Sequence, residues 1–308
     1  MLKYETAGDP ISGLKWTRKT PEKIAQELAS VKVDVSPNTV AKLLKNMGFR
    51  PRVNRKKVAT LTSADRDEQF LYIAAQREQF EQEGLPIISV DTKKRELVGN
   101  FKNPGTIWSQ EAVPVNDHDF RSDALGVAIP YGVYDVQANR ACVSVGVSHD
   151  TSAFAVESIA TWWREEGQAR YSQARQLLIL ADGGGSNSFH RRTWKFALQT
   201  RLCDPYDLTV MVCHYPTGTS KYNPIERRLF SQISKNWAGQ PLISYETILN
   251  FIQTTTTRSG LVVKPYLDSK EYPTKVKISN KQMEQLALSR HEVQPKRNYT
   301  LKPRQTGE

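Results

Sequence analysis

The chain has 308 residues, of which 39% are hydrophobic and 24% charged, and its formal net charge is +11. This composition is typical of a globular protein with a sizeable core and room for two or three domains. No apolar run reaches the roughly 18–20 residues of a membrane span. The three cysteines are odd in number and lack metal-ligand spacing, which argues against a disulfide framework. The charged start lacks an apolar signal segment, so we expect a cytoplasmic protein.

The positive charge is concentrated at the two ends of the chain. Residues 1–60 carry +8 (13 basic against 5 acidic) and residues 260–308 carry +5 (10 against 5), whereas residues 61–259 carry −2 (20 against 22). Such asymmetry indicates a polyanionic partner, most simply nucleic acid. Basic ends that only aid solubility are the alternative.

The first predicted elements are two short helices within residues 20–48. Thr20 and Ser36 each stand before a proline, as a cap followed by the first helical residue does. The second helix has an apolar stripe made of Val40, Leu43, Leu44 and Met47. The pair predicts a winged or homeodomain-like helix-turn-helix, with an ordinary helical hairpin as the alternative. The candidate DNA contacts are Asn38, Thr39, Lys42, Lys45, Arg50, Arg52, Arg55, Lys56 and Lys57.

A charged connecting helix over 63–84 leads into an α/β region. Strands are predicted at 86–94, 130–136, 141–148, 176–185 and 208–216, and helices at 152–166, 187–202 and 224–237. The first three strands should be antiparallel, and the later ones parallel through crossover helices. This is the order of a ribonuclease H-like mixed sheet with helices on both faces.

Three acidic residues fall where this topology can bring them to one edge of the sheet. Asp91 lies on the first strand, Asp182 ends the fourth strand, and Glu226 lies in the first turn of a later helix. Three carboxylates there would repel one another unless cations lay between them. Mg²⁺ prefers oxygen ligands, and a pair of such ions assists phosphodiester cleavage. The glycines at 183–185 would let a DNA backbone approach closely.

Each acid also has a purely structural interpretation. Asp91 and Asp182 suit a cap or a turn at a strand end, and Glu226 completes a capping box that starts at Asn223. Two further acids near strand ends rank below the three: Asp135 in a hairpin, and Asp150 as an expected helix cap.

Several basic residues near the acids are weaker candidates. Lys93 and Lys94 follow Asp91 and are positioned for phosphate contact. Lys221, Arg227 and Arg228 flank Glu226 and either bind DNA or are solvated helix charges. His214 ends the fifth strand, where a satisfied core histidine is the favoured interpretation.

The motifs ISVDTKKRELVGNFKN, LLILADGGGSN and CHYPTGTSKYNPIERRLFSQISKNW, with others from Trp16 to Tyr299, resemble the Rhodopirellula-type transposases. These are bacterial insertion-sequence enzymes related to the mariner-like DDE group. The resemblance implies an Asp-Asp-Glu triad at Asp91, Asp182 and Glu226 that holds two Mg²⁺ ions, with Mn²⁺ able to substitute. It also implies a homo-oligomer acting on terminal inverted repeats and target DNA. The resemblance further implies that water attacks a phosphodiester at the element's end and that the freed 3′-hydroxyl then attacks the target.

This interpretation predicts four segments: a helix-turn-helix module at 1–60, a connecting helix at 61–84, a ribonuclease H-like DDE domain at 85–258 and a basic tail at 259–308. Two features depart from the family. Its members start further upstream, so one interpretation is a truncated copy that lacks an earlier DNA-binding segment. In addition, NPIER replaces an NKIEH-like form, so Pro224 takes the place of a basic residue.

Three other functions compete with a transposase. A catalytically silent remnant would bind element ends as a DNA-binding protein without cutting them, and a ribonuclease H-like nuclease would cut without joining. A metabolic α/β enzyme carrying a two-helix scaffold lacks support, since the chain has no dinucleotide-binding or P-loop motif.

Overall fold

The structure, a computed structural model, describes residues 7–8, 15–16, 19–51 and 64–304. By its internal contacts the chain divides into two units, Met1–Ala59 and Thr60–Glu308. Among the described residues, no helix has the length and apolar character needed to cross a membrane.

The first unit contains a short antiparallel pair, β1 (Ala7–Gly8) and β2 (Lys15–Trp16), and two helices, α1 (Pro21–Ser30) and α2 (Pro37–Asn46). Both helices begin as the sequence predicts. The Thr20 hydroxyl accepts a hydrogen bond from the Lys23 amide at 3.3 Å, and the Ser36 hydroxyl accepts one from the Thr39 amide at 3.1 Å.

Only part of the apolar stripe predicted for α2 is buried. Val40 packs with Ile24 and Ala25 of α1, and Leu44 lies against that small core. Leu43 and Met47 are exposed, which corrects the prediction. Val40 and Leu44 are one turn apart and face α1, whereas Leu43 and Met47 form a second row displaced around the helix. A helix-turn-helix role for the pair stays a prediction.

The second unit begins with α3 (Ala64–Gln82) and continues as a mixed α/β sheet. Its strands are β3 (Ile87–Thr92), β4 (Glu96–Val98), β5 (Gly126–Asp135), β6 (Arg140–Gly146), β7 (Gln176–Ala181), β8 (Thr209–His214), β9 (Val262–Asp268), β10 (Leu288–Arg290) and β11 (Asn298–Leu301). Its further helices are α4 (Ser152–Trp162), α5 (Gln168–Arg170), α6 (Arg192–Leu198), α7 (Asp204–Tyr206), α8 (Ser231–Asn236), α9 (Tyr245–Gln253) and α10 (Asn280–Glu284).

Three π-helical turns interrupt these helices. One (Trp163–Gly167) joins α4 to α5, one (Gln199–Cys203) joins α6 to α7, and one (Glu226–Phe230) leads directly into α8. Turns of this kind occur often at functional sites, and the third begins at one of the predicted catalytic acids.

Within residues 64–304 the strands form one sheet in the order β10-β11-β8-β7-β3-β5-β6-β9, and β4 pairs with β5 beside it. Strand β3 is parallel to β7, and β7 to β8, whereas the β3–β5 and β5–β6 pairs are antiparallel. The central order β6-β5-β3-β7-β8 is the predicted ribonuclease H-like order. The predicted ribonuclease H-like mixed sheet is therefore confirmed.

Helices cover both faces of this sheet. One apolar core packs α4 and α6 against the sheet through residues such as Phe154, Trp162 and Trp194. A second core lies between the sheet and α8 and α9, with Leu229, Ile233 and Ile248. Strands β3 and β7 are buried along most of their length, as expected for central strands covered on both sides.

The segment after residue 258 is part of the sheet, not the expected basic tail. Strand β9 pairs in parallel with β6 at one side, and β11 pairs with β8 at the other. Tyr299 of β11 is completely buried, and its hydroxyl accepts a hydrogen bond from Trp194 Nε1 at 2.8 Å. Lysines and arginines interrupt the short apolar runs of this segment, so its charge concealed the strand pattern from sequence analysis.

Candidate active site

The parallel pairing of β3 with β7 brings Asp91 and Asp182 to the same edge of the sheet. Val90 pairs with Ala181, so the residues that follow each of them, Asp91 and Asp182, lie side by side at the carboxyl ends of neighbouring strands. In open α/β sheets this edge is where ligands bind. Glu226 reaches the same region from the π-helical turn that follows β8.

The three carboxylates are close enough to perturb one another's ionisation. Burial raises the pKa of Asp91 well above its usual range, and the charge of Asp182, with smaller contributions from Glu226 and Asp150, raises it further. A hydrogen bond from the Thr92 amide to Asp91 Oδ1, at 2.7 Å, acts in the opposite direction. Repulsion among half-buried carboxylates is the electrostatic pattern that a bound cation relieves.

Burial also raises the pKa values of the other two acids. Burial raises the pKa of Asp182 to about 6, and the charge of Glu226 adds to that shift, whereas a hydrogen bond from Asn223 opposes it. Burial also raises the pKa of Glu226, and the positive charge of Lys93 counteracts part of the increase.

Asn223 ties the segment that carries Glu226 to the strand that carries Asp91. Its amide Nδ2 donates to Asp182 Oδ1 at 3.2 Å and to the Val90 carbonyl at 3.4 Å, and its Oδ1 accepts the hydroxyl of Ser89. The Ser89 hydroxyl also accepts the Ile225 amide at 3.0 Å. Ser89 and Asn223 are both fully buried. The capping-box interpretation of Asn223 is therefore wrong, because its side chain is used across the sheet edge.

A glycine opposite Asp91 allows this segment to pack tightly. Gly132 of β5 is the residue paired with Asp91. A Cβ at Gly132 would lie 2.7 Å from Phe230 Cε1 and 2.8 Å from Ile225 Cδ1. The turn that begins at Glu226 thus rests against bare backbone beside the first acid.

A cleft of about 450 Å³ opens at this edge. Its lining includes Asp91, Asp150, Asp182, the glycines at 183–185 and the cations Lys94 and Arg95, whereas Glu226 is not part of the lining. A side chain at Gly184 would meet no neighbour within 4 Å, and Gly185 has a φ of +63° that other residues rarely adopt. The glycine run therefore leaves this wall of the cleft without projecting side chains.

Asp150 belongs to the cleft, although sequence analysis ranked it as a helix cap. The cap of α4 is Thr151, whose hydroxyl accepts the Phe154 amide at 3.2 Å. Asp150 Oδ1 instead accepts the Thr92 hydroxyl at 3.1 Å, and its Oδ2 lies 4.0 Å from Arg95 Nη2. Its place directly after the turn that follows β6 was the one available signal. Arg95 is a further cleft residue that sequence analysis missed.

Asp135 has the structural role that was expected of it. It lies at the far end of β5 from the cleft, in the hairpin between β5 and β6. Its Oδ1 accepts the amides of Gln137 at 3.2 Å and Ala138 at 3.0 Å, and the hydroxyl of Tyr171 at 3.0 Å.

The donor chemistry of the cleft fits a divalent cation. Carboxylate oxygens are the ligands that Mg²⁺ prefers, and both burial and neighbouring carboxylates raise the pKa values of Asp91 and Asp182. Among the described residues, however, no three side chains of Asp, Glu, His or Cys are arranged as a ready-made metal-binding group. That Asp91, Asp182 and Glu226 hold such ions stays a prediction.

The two lysines after Asp91 differ in environment. Lys94 is exposed beside the cleft. Lys93 is buried, and its Nζ lies 3.1 Å from Glu96 Oε1 and 4.3 Å from the centre of the Trp237 ring. Burial lowers the pKa of Lys93. Phosphate contact stays a prediction for both lysines, but Lys93 already has partners within the protein.

His214 is a fully buried core residue at the end of β8. Its Nδ1 lies 2.9 Å from the Arg297 carbonyl oxygen, and its Nε2 lies 2.8 Å from the Asn187 carbonyl oxygen. Burial lowers the pKa of His214 to about 4, against the effect of these carbonyl groups. A neutral ring links the loop after β7 to the segment before β11, which is a structural role.

The remaining DNA-contact candidates are exposed where the structure describes them. These are Asn38, Thr39, Lys42, Lys45, Arg50, Lys221, Arg227 and Arg228. Arg52, Arg55, Lys56 and Lys57 lie outside the described residues.

The fold and the cleft define a ribonuclease H-like α/β protein with an acidic centre at the carboxyl edge of its sheet. Comparison with protein families assigns it more closely: residues 1–303 match the family model described as the Rhodopirellula transposase DDE domain. The chain belongs to this family.

Solved structures with a related arrangement come from the Mos1 transposase. The paired-end complex with the left transposon end has 16% identity and a TM-score of 0.43, over 76% of this chain and 65% of that one. The pre-cleavage transpososome has 15% identity and a TM-score of 0.44, over 76% and 66%. This chain thus spans about 65% of the length of the first of these proteins. A search of curated proteins finds no match.

Proposed function

We propose that this protein is the DDE transposase of a bacterial insertion sequence, which cuts DNA at the ends of its element and joins them to target DNA. The observation that carries the proposal is the meeting of Asp91, Asp182 and Glu226 at one sheet edge, with each pKa raised by burial and with repulsion among the three. Family membership supports it, because the matching model describes a transposase DDE domain.

Each part of the cleft has a task in this chemistry. Mg²⁺, with Mn²⁺ as a substitute, would activate the attacking oxygen and stabilise the leaving one when bound by the three carboxylates. Asn223 holds Asp182 in place through its amide, and the Ser89 hydroxyl fixes the segment leading to Glu226. The glycines at 183–185 leave a phosphodiester backbone room to approach, and Lys94 and Arg95 also line the cleft.

The other expectations complete the proposal. We assign residues 1–60 to binding of terminal inverted repeats through the exposed side chains of α2, and residues from 85 onward to catalysis. Residues 61–84 connect the two. The active form is a homo-oligomer, since two element ends must be held together, and it acts in the cytoplasm on bacterial DNA.

The decisive experiment is cleavage of a duplex carrying the terminal inverted repeat that flanks the gene. We expect Mg²⁺-dependent nicking by the wild type, and its loss in Asp91→Asn, Asp182→Asn and Glu226→Gln with DNA binding retained. Glu165→Gln removes a carboxylate outside the cleft and should cut like the wild type. Near-normal cutting by any of the three cleft variants would remove that residue from the site.

The same assay separates the competing functions. A wild type that binds the repeat but never cuts it, in Mg²⁺ or in Mn²⁺, would be a silent DNA-binding remnant. A wild type that cuts without joining 3′ ends to target DNA would be a nuclease.

A further inference from the structure

A second groove lies beside the segment that carries Glu226, and its lining is rich in positive charge. It has a volume of about 590 Å³ and is lined by Arg77 of α3, Tyr134 and Asn139 of the β5–β6 hairpin, and Lys221, Arg227 and Arg228 around the Asn223–Pro224 turn. We call it the basic groove. The segment from Pro216 to Arg228 separates it from the acidic cleft, since Pro216–Gly218 line the cleft and Lys221–Pro224 line the groove.

Most of the positive charge in the basic groove is uncompensated. Arg77 Nη2 lies 3.3 Å from Glu81 Oε1, and Glu81 is the one acidic residue in the lining. Within the described residues, Lys221, Arg227 and Arg228 form no ion pair, and all three are exposed. Three cations held around a concave surface create a positive potential that attracts a polyanion.

The polar side chains of the groove are those that bind a sugar-phosphate backbone. Arginine, lysine, tyrosine and asparagine side chains are among the groups that donate hydrogen bonds to phosphate oxygens. Two of the lining residues are joined by hydrogen bonds: the Tyr134 hydroxyl donates to Asn139 Oδ1 at 3.0 Å, and Asn139 Nδ2 donates to the Ser259 carbonyl at 2.8 Å. The rim carries Tyr222, which is half exposed and packs edge-on against Phe70 at 5.0 Å between ring centres.

From these features we propose that the basic groove binds the phosphate backbone of a DNA duplex on one side of the phosphodiester that is cut. This inference rests on the proposed function, and it adds Arg77 and Tyr222 to the DNA-contact residues. The turn at Asn223–Pro224 lies between groove and cleft, so one continuous DNA segment would contact the groove with its backbone and present its scissile phosphate to the acids.

The test compares two triple variants of the full chain. Arg77→Gln with Arg227→Gln and Arg228→Gln neutralises the groove, whereas Arg164→Gln with Arg175→Gln and Arg201→Gln removes three arginines outside it. Binding of a fluorescent duplex of mixed sequence is measured in EDTA over a series of salt concentrations. Because each phosphate contact contributes about 0.9 to the slope of log K against log salt, we expect the groove triple to flatten that slope by about 2.7 and to weaken binding at least about tenfold. The control triple should match the wild type.

A second measurement tests direct contact. A photocrosslinking amino acid at Tyr222 should form an adduct with the duplex, and the same amino acid at the exposed Leu267 should not. Equal affinities and slopes for both triple variants, or no adduct at Tyr222, would refute DNA binding by the basic groove. A wild type that binds no duplex would overturn it as well. A wild type that binds DNA through the basic groove but fails to cut it would support the groove and refute only the proposed catalytic function.

Discussion

At the scale of single residues, the buried carboxylate of Asp182 lowers the stability of the metal-free protein at neutral pH. Its pKa is raised from 3.8 to about 6, so between these pH values the folded protein holds a proton that the unfolded chain has released. The metal-free protein therefore loses stability as pH rises through this window, by up to about 3 kcal/mol at neutral pH.

We predict that Asp182→Asn stabilises the metal-free protein at neutral pH by about 1–3 kcal/mol while it abolishes cutting. The amide cannot ionise, so its burial carries no charge penalty. Thermal unfolding in EDTA at pH 5 and pH 7.5 measures the effect, which should be larger at the higher pH. Added Mg²⁺ should stabilise the wild type and leave the variant unchanged. A variant less stable than the wild type at pH 7.5 in EDTA would contradict the assignment.

Asn223 is predicted to act as a positioning residue for Asp182 and Glu226. Because its hydrogen bond lowers the pKa of Asp182, Asn223→Ala should move the pH midpoint of cutting upward and raise the Mg²⁺ concentration required. The matched control is Asn236→Ala, which removes an amide bonded to the Phe251 carbonyl at 2.7 Å outside the site. If Asn223→Ala lowers the rate equally at every pH and Mg²⁺ concentration, the residue is structural only.

At the scale of single elements, strand β5 and the π-helical turn Glu226–Phe230 depend on each other through Gly132. Two side chains of the Glu226 segment occupy the space in which a Cβ would stand. A methyl group at this position would displace the segment and with it the third acid.

We predict that Gly132→Ala lowers cutting by more than its loss of stability explains, with a stability cost of about 1–3 kcal/mol. Gly146→Ala is the matched control, since its Cβ would meet Phe154 at 2.7 Å, on the helix α4 rather than on the Glu226 segment. Both variants are compared by thermal unfolding and by cutting rate below their melting temperatures. Equal rates per folded molecule would show that the close packing at Gly132 does not position Glu226.

The sequence predicts the central elements well because their signals are local. The buried runs of β3, β7 and β8 and the caps of α1 and α2 are visible in residue order. The place of Asp150 in the cleft and the use of Asn223 across the sheet edge depend on contacts between residues 58 and 41 positions apart, such as Thr92 with Asp150 and Asn223 with Asp182. No periodicity or motif encodes such contacts, so a cap was predicted where a site residue lies.

At the scale of the whole molecule, the segment after residue 258 adds strands at both lateral ends of the sheet. Strand β11 covers β8 through Tyr299 and Leu301, and Asn298 exchanges side-chain hydrogen bonds of 2.8 Å with the buried Gln69 of α3. Strand β9 covers β6 on the opposite side.

We predict that a chain ending at residue 258 loses cooperative folding, because β8 and β6 would become open edges and Trp194 Nε1 would lose its buried partner. A chain ending at Arg304 is the control and should unfold like the full protein. Circular dichroism during thermal unfolding distinguishes them. A sharp transition in the shorter chain, at the temperature of the full protein, would restore the interpretation of this segment as an appended tail.

The parallel pairing of β3 with β7 has a kinetic consequence. The three acids are 91 and 44 positions apart along the chain, and the first two meet only when Val90 has found Ala181 across the long crossover. Contacts between such distant residues close slowly, because loop entropy must be overcome first. The three carboxylates should thus be among the last groups to come together during refolding, and under the proposed function a half-folded molecule would not yet cut DNA. Stopped-flow refolding in which metal capture precedes the burial of tryptophan would reverse that order of events.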